Sequence, residues 1–286
     1  MLLGLLAALA GAVVFGVAAI AQAAASRAVP TGGLSLALVL GLVRQPVFIL
    51  AVALNLVGFV LHLVALRLLP LFLAQAGISA SLAVTALLAV WYFGDRLGTV
   101  ERIAVGAVCV GLAVLSAAAG EAGAAESNSL LTAVLFVGAG VIAVLGLLAG
   151  RRRGTPAAFA LGFLAGLGFA GSSIATRLVP DLSLSGVLST PASYALPICG
   201  VLAFTLYSLG LQRGGVTAVT TPMIVMQTLT PAALGVLALG DAVRESWLPA
   251  AVLGLLVTGA GAVVLGRFDD VREPPETAGV KRDGGV

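Results

Sequence analysis

Polar side chains that could bind a small ligand are few in this chain and stand inside long apolar runs. Asn55 and His62 are seven residues apart, so a helix would present both on one face. An amide and an imidazole are costly in an apolar setting unless they form hydrogen bonds. Hydrogen bonding between packed helices explains them as well as ligand binding does, and His62 could also titrate near neutral pH. We expect a polar pocket wall here, with a packing bond or a proton site as alternatives.

A second group of polar residues lies between residues 216 and 239, where threonines, Gln227 and two prolines interrupt an apolar run. Each proline removes a backbone donor and frees a carbonyl one turn earlier. Interrupted helices of this kind expose backbone to substrates in transporters, although a kinked helix braced by threonines is the alternative. The predicted substrate-binding residues are Asn55, His62, Gln75, Thr85, Ser172, Ser173, Tyr207, Thr221 and Gln227.

Groups for other chemistries are missing from the apolar runs. Seven acidic residues sit at the ends of runs or between them, and the other five lie after residue 268. Proton relays and dehydrated divalent cations usually need a buried carboxylate. The sequence also has no Gly-x-Ser-x-Gly motif, no P-loop and no metal-spaced cluster around its one histidine. We therefore expect no enzyme, no cofactor and no bound metal.

The amino-acid composition indicates the environment in which these polar residues lie. The chain is 60% hydrophobic and 9% charged, whereas a water-soluble globule of 286 residues needs a polar exterior. Its fifteen Lys and Arg residues are scattered rather than clustered, which argues against nucleic acid as a partner. Cys109 and Cys199 lie inside apolar runs and are interpreted as small buried thiols. The partner implied is the lipid bilayer.

Nine runs are long enough to cross about 30 Å of hydrocarbon. Because lipid offers the backbone no hydrogen bonds, they must be helices, and the fold class is all-α integral membrane. The predicted spans are Leu2–Ala25, Val47–Arg67, Pro70–Phe93, Gly98–Ala118, Leu130–Gly150, Thr155–Arg177, Ala192–Gln212, Val216–Leu239 and Ser246–Gly266. Residues 34–43 are apolar but too few for an ordinary span, so they are predicted to be interfacial or re-entrant, with a tenth span as the alternative.

Basic residues predict the orientation. With the N-terminus outside, twelve of the fifteen fall in inner loops or the tail, and Arg67, Arg177 and Arg244 stay outside. This asymmetry predicts a cytoplasmic C-terminus in the inner membrane of a cell. Residues 1–25 lack a basic start and have too long an apolar run for a signal peptide, which predicts a retained first span. Residues 267–286 are charged and rich in Pro and Gly, which is typical of a disordered cytoplasmic tail.

The two halves of the chain follow one pattern. Each has a long apolar run that breaks at Gly-Asp, at residues 94–95 and 240–241, followed by two glycines five apart. Spans one to four therefore match spans six to nine, and the single span between them inverts the second copy. The predicted organisation is four plus one plus four: a first repeat at 1–118, a linker with the fifth helix at 119–154, and a second repeat at 155–266.

The residues Trp91 to Leu97, WYFGDRL, followed by Gly106 and Gly111, resemble the break between helices three and four of small multidrug resistance exporters. Larger, EamA-like members of the same drug/metabolite transporter superfamily look like fused inverted copies of that unit. The helix start at Pro46, with Gly58 further on, is also similar to bacterial relatives of NIPA-type magnesium transporters. The exporters' first-helix glutamate has no counterpart here, since residues 11–16 read GAVVFG.

The resemblance implies a transporter that moves a small-molecule substrate by alternating access at the repeat interface. Without a buried acid, a facilitator or exchanger of a small polar or amphipathic metabolite is the simplest expectation. A NIPA-like divalent-cation transporter and a non-transporting membrane scaffold are the alternatives, and a homodimer stays open.

Overall fold

The computed structural model describes residues 1–27, 46–93, 98–124, 126–181, 183–213 and 216–268. Nearly all of these residues are helical, and their single bridge of β type joins Ala119 to Val243. The helices are α1 (Leu2–Arg27), α2 (Pro46–Leu68), α3 (Leu71–Phe93), α4 (Thr99–Ala118), α5 (Ser129–Gly150), α6 (Thr155–Arg177), α7 (Leu184–Ser189), α8 (Pro191–Arg213), α9 (Val216–Ala238) and α10 (Leu248–Phe268).

The predicted spans are confirmed as helices. Within the described ranges, all helices but α7 are long and apolar enough to cross a membrane, nine in total. Their ends agree with the predicted ends to within two residues. Residues 267 and 268, which the sequence assigned to the tail, complete α10 instead. The predicted interfacial segment 34–43 and the tail beyond residue 268 lie outside the described residues.

Local sequence explains several helix boundaries. Asn128 caps α5 by accepting a hydrogen bond from the Leu131 N–H at 3.0 Å. Pro156 stands in the first turn of α6, where its missing N–H costs nothing. The short helix α7 was not predicted from sequence, because six residues cannot form a membrane span. Ser183 caps it, and hydrogen bonds from the Ser183 hydroxyl and N–H hold the pKa of Asp181 below its usual value.

The helices alternate in direction between two ends of the bundle. At the first end, called the Asp241 end, the start of α1 at Gly4 packs on Leu69, and Ala119 pairs with Val243. At the other end, called the Arg151 end, the Gly154 N–H donates to the Arg213 carbonyl at 3.0 Å. Helix α1 therefore starts at the Asp241 end, whereas α6 starts at the Arg151 end.

The two halves use equivalent helix pairs. Helix α1 packs on α2 and α3, and α6 packs on α8 and α9. The halves meet where α3 contacts α9 and where α4 lies along α10. The largest buried cluster combines residues from both halves, with alanine and leucine side chains of α2, α3, α4, α9 and α10 and Ile174 of α6.

Glycines allow two of these helix crossings. A Cβ on Gly111 of α4 would collide with Thr258 and the Gly254 carbonyl of α10. On α6, Gly162 and Gly166 lie against the backbone of α9 in the same way, which is the close packing that their spacing predicts. The other glycine of the α4 pair is Gly106, and a Cβ on it would meet no other atom within 4 Å.

Two expectations need adjustment. Helix α9 continues through Pro222 and Pro231 from Val216 to Ala238, so the prolines do not divide it into separate helices. Cys109 was predicted to be a buried thiol but is exposed on the outer surface of α4, whereas Cys199 is buried as predicted. Helical periodicity in a uniformly apolar run cannot tell an inner from an outer face, which explains the error.

Candidate functional site: a polar cavity and a buried ion pair

A cavity of about 250 Å³ lies where the two halves meet. It is called the polar cavity, and α3, α8, α9 and α10 form its walls. Its polar lining residues are Ser79, Ser81, Tyr207, Thr220 and Gln227, and its other lining residues are Ile78, Leu82, Met223, Ile224 and Gly266. No side chain in this lining is charged, so the cavity combines hydroxyl and amide groups with apolar surface.

The side chains of Tyr207 and Gln227 differ in their hydrogen bonding. The Tyr207 hydroxyl lies 3.1 Å from the Thr220 hydroxyl, which joins α8 to α9. Gln227 is half-buried, and its amide has no hydrogen-bond partner among the described residues. An amide that is partly removed from water and left unbonded is ready to pair with a polar ligand. Gln227 is therefore the side chain in this cavity that is best placed to bind.

Other predicted residues lie nearby but outside the cavity lining. The Gln75 amide donates to the Ser173 hydroxyl at 2.7 Å, which joins α3 to α6 across the two halves. The Ser172 hydroxyl donates to the Leu196 carbonyl of α8 at 3.1 Å. Thr85 is buried and bonds the Ser81 carbonyl of its own helix at 2.8 Å. The first two bonds join packed helices, whereas the bond of Thr85 stays within α3.

The two residues on α2 stand apart from the polar cavity. The Asn55 amide donates to the Ala51 carbonyl of its own helix at 3.0 Å, and His62 is buried with its backbone close to Gly11 of α1. Neither residue lines the cavity that contains Tyr207. Thr221 is half-buried and is also absent from the cavity lining. Of the nine predicted site residues, Tyr207 and Gln227 are the two that the structure brings into one cavity.

A buried ion pair at the Asp241 end was not predicted, and it corrects the expectation that the chain has no buried acid. Arg177 Nη2 lies 2.8 Å from Asp241 Oδ1, and both side chains are fully buried. Arg177 also donates to the carbonyls of Leu69 and Gly123. Asp241 accepts the Leu71 N–H at 2.5 Å and the Gly123 N–H at 2.9 Å. These five residues are called the Asp241 network. Their hydrogen bonds connect four segments of the chain: the α2–α3 turn, the linker after α4, the end of α6 and the turn after α9.

The linker and the turn after α9 form a short paired segment around this network. The Gly120 N–H donates to the Ala242 carbonyl at 3.0 Å, and the Ala242 N–H donates to the Glu121 carbonyl at 2.9 Å. Gly240 has φ +74°, a value that side chains rarely tolerate, so Gly-Asp here is a tight turn that aims Asp241 inward. The Gly-Asp break at residues 240–241 therefore has a structural role, whereas the matching break predicted at residues 94–95 lies outside the described residues.

The fold and the cavity define a class: a bundle of apolar helices with polar groups enclosed between its two halves. The chain matches no protein-family model, no curated protein and no solved structure. The resemblance to drug/metabolite transporters therefore stays a prediction.

Proposed function

We propose that this protein is a carrier in the inner membrane of a cell that moves a small polar or amphipathic metabolite by alternating access between its two halves. The observation that carries the proposal is the polar cavity, because residues of both halves line it and the Gln227 amide within it has no hydrogen-bond partner in the part of the chain that the structure describes. A site between two moving halves is where an alternating-access carrier binds its substrate.

The exterior of the bundle supports membrane insertion. Large apolar side chains are exposed along α1, α2, α5 and α10, and α5 is the least buried of the nine long helices. Soluble monomers rarely expose apolar patches this extensive. Exposed aromatic residues stand at both ends, with Trp91 and Tyr92 at the Arg151 end and Tyr194 and Trp247 at the Asp241 end. Such a distribution is typical of the two interfaces of a bilayer.

Helix direction and charge support an inverted repeat with the Asp241 end outside. The opposite directions of α1 and α6 follow from the contacts at the two ends. Equivalent packing of α1 with α2 and α3, and of α6 with α8 and α9, agrees with two related halves. Arg151, Arg152 and Arg153 lie at the opposite end from Asp241, and by the inside rule this supports a cytoplasmic position for that end.

The two ends of the bundle differ in a way that alternating access requires. The Asp241 network closes the Asp241 end with a buried ion pair and four further hydrogen bonds. The polar cavity lies on the other side of the network, with Gly266 and Thr220 in its lining near the Arg151 end. The arrangement therefore corresponds to a carrier closed to the outside, and outward opening would have to separate Arg177 from Asp241.

The lining of the polar cavity suggests the substrate class. Drug-sized ligands occupy cavities of roughly 300–1,000 Å³, so a cavity of about 250 Å³ fits a smaller molecule. Hydroxyl and amide groups favour a neutral polar part of the substrate, and Met223, Ile224 and Leu82 offer an apolar wall. Without a charged lining residue, the cavity gives no strong preference for a cation or an anion.

The test compares the metabolites of cells that make wild-type protein with those of cells that make Gln227→Ala, followed by uptake of the altered compound into proteoliposomes. We expect Gln227→Ala and Tyr207→Phe to lower transport about tenfold, the loss expected for one buried hydrogen bond to the substrate. Thr205→Ala is the control, since Thr205 is exposed on α8 and bonds its own helix. The proposal fails if wild type and Gln227→Ala transport equally well at matched expression.

A further inference from the structure

A second cavity lies on the flank of the bundle at the Asp241 end. It has a volume of about 520 Å³ and is called the Arg67 cavity. Helix α2 forms one wall with Val60, Leu63, Val64 and Arg67, and α6, α7 and α8 form the other. Val60 is 52% exposed and Leu68 is 38% exposed, so the cavity opens sideways onto the apolar surface of the bundle.

Arg67 is the charged group in this apolar cavity. Its Nε and Nη2 atoms are buried and have no hydrogen-bond partner among the described residues. The guanidinium is always charged. The Arg67 side chain as a whole is half-buried, but leaving two of its donor atoms out of water without a partner is costly. An anionic group bound at Arg67 would remove that cost.

The described residues offer Arg67 no such anion. The Asp241 carboxylate is already occupied by Arg177 and two backbone N–H groups. Asp181 is exposed and accepts hydrogen bonds from Ser183. The one ion pair within 4.0 Å among the described residues joins Arg177 to Asp241. The neighbourhood of Arg67 therefore carries an unbalanced positive charge.

The cavity also has the shape of a lipid site. Val60, Leu63, Val64 and Arg67 follow the spacing of one helix face, and seven residues of helix extend about 10 Å. Arg67 lies toward the Asp241 end of α2, whereas Val60 lies nearer the middle of the bundle. An acyl chain beside Val60 and Leu63 with its head group at Arg67 would have the same direction as a lipid in that leaflet.

We propose that the Arg67 cavity binds one anionic phospholipid, with its phosphate on Arg67 and an acyl chain along α2. This inference needs the bundle to be embedded in a membrane but does not depend on transport. It is separate from the polar cavity, which shares no lining residue with it.

The test measures lipid binding to the purified full-length protein by native mass spectrometry. Phosphatidylglycerol is compared with phosphatidylcholine of the same acyl chains. We expect wild type to retain phosphatidylglycerol at least about tenfold better, the factor for one charge-assisted hydrogen bond. Arg67→Gln should lose this preference and Arg67→Lys should keep part of it. Arg244→Gln is the matched control, because Arg244 is exposed at the same end and should keep the preference in full.

A variant that leaves Arg67 in place tests the acyl chain separately. Val60→Trp should fill the cavity and lower retention of both lipids without unfolding, because Val60 is half exposed. The proposal is wrong if wild type does not prefer phosphatidylglycerol, or if Arg67→Gln and Arg244→Gln behave alike. It is also wrong if inorganic phosphate alone displaces the lipid as well as phosphatidylglycerol does, since the cavity would then bind a free anion.

Discussion

Replacing Asp241 by Asn tests the buried ion pair most directly. The change keeps the size of the side chain but removes the charge that balances Arg177. One amide oxygen remains as an acceptor, whereas the carboxylate accepts Arg177 and the N–H groups of Leu71 and Gly123. Asp241→Asn therefore leaves a fully buried guanidinium without a counter-ion and a backbone N–H facing an amide N–H.

The expected cost follows from these lost contacts. Removing one partner of a buried ion pair costs about 3–5 kcal/mol. Arg177 still bonds the carbonyls of Leu69 and Gly123, which favours the lower value of about 3 kcal/mol for Asp241→Asn. Asp241→Ala should cost nearer 5 kcal/mol, because both backbone donors then lose their acceptor.

The assay is reversible unfolding in mixed micelles, and unfolding is monitored as the loss of the spectroscopic signal of the helices. Glu245→Gln is the control, since Glu245 is an exposed carboxylate at the same end. The double variant Arg177→Met with Asp241→Asn should be more stable than the sum of the single changes predicts, because it leaves no unpaired charge. The reasoning is refuted if Asp241→Asn costs no more than Glu245→Gln, or if the two single costs simply add.

Three further outcomes follow from the structure. Gly111→Ala should destabilise the bundle by about 1–3 kcal/mol, because its Cβ would collide with α10. Gly106→Ala should leave stability unchanged, because a Cβ there would meet nothing within 4 Å. Measuring the free energy of unfolding of both variants checks this prediction. Gly240→Ala should cost about 1–2 kcal/mol from its φ of +74°, and an unchanged melting temperature would contradict it. Cysteines that replace Glu126 and Arg152, in a background without the native cysteines, should react with impermeant reagents from opposite faces of the membrane.

Much of the fold could be predicted because its signal is local. Each apolar run is long enough to cross a bilayer and ends at charged or glycine-containing breaks, so helix ends were correct to within two residues. The six-residue helix α7 was missed because hydropathy over so short a stretch carries no span signal. The exposure of Cys109 was missed because α4 is apolar on every face.

Contacts between distant helices could not be predicted in the same way. Arg177 and Asp241 stand at the ends of two different apolar runs, and the inside rule counts such charges without locating their partners. They are 64 positions apart and meet only when the ends of α6 and α9 reach the same end of the bundle. One feature of the sequence could have indicated that Arg177 is buried: the apolar residues Leu178 and Val179 follow it directly. Tyr207 was predicted to bind substrate, but its contact with the Thr220 hydroxyl of α9 could likewise not be read from the sequence.

The linker after α4 belongs to neither predicted repeat, yet it completes the Asp241 network. Gly123 donates its N–H to Asp241 and accepts from Arg177, so opening the Asp241 end must also move the linker that leads into α5. A Cβ on Gly123 would collide with the Leu239 carbonyl. Gly123→Ala should therefore loosen the network, while Gly138→Ala on α5 should not, because nothing lies within 4 Å of Gly138.

Hydrogen exchange gives the readout for this coupling. In wild type the Leu71 N–H is held by a buried carboxylate, so it should exchange slowly. Gly123→Ala should speed its exchange without touching α3 directly, because Asp241 loses one of its three donors and the linker moves away from Arg177. Unchanged protection of Leu71 in Gly123→Ala would mean that the ion pair holds without the linker. In that case the fifth helix would not be coupled to opening at this end.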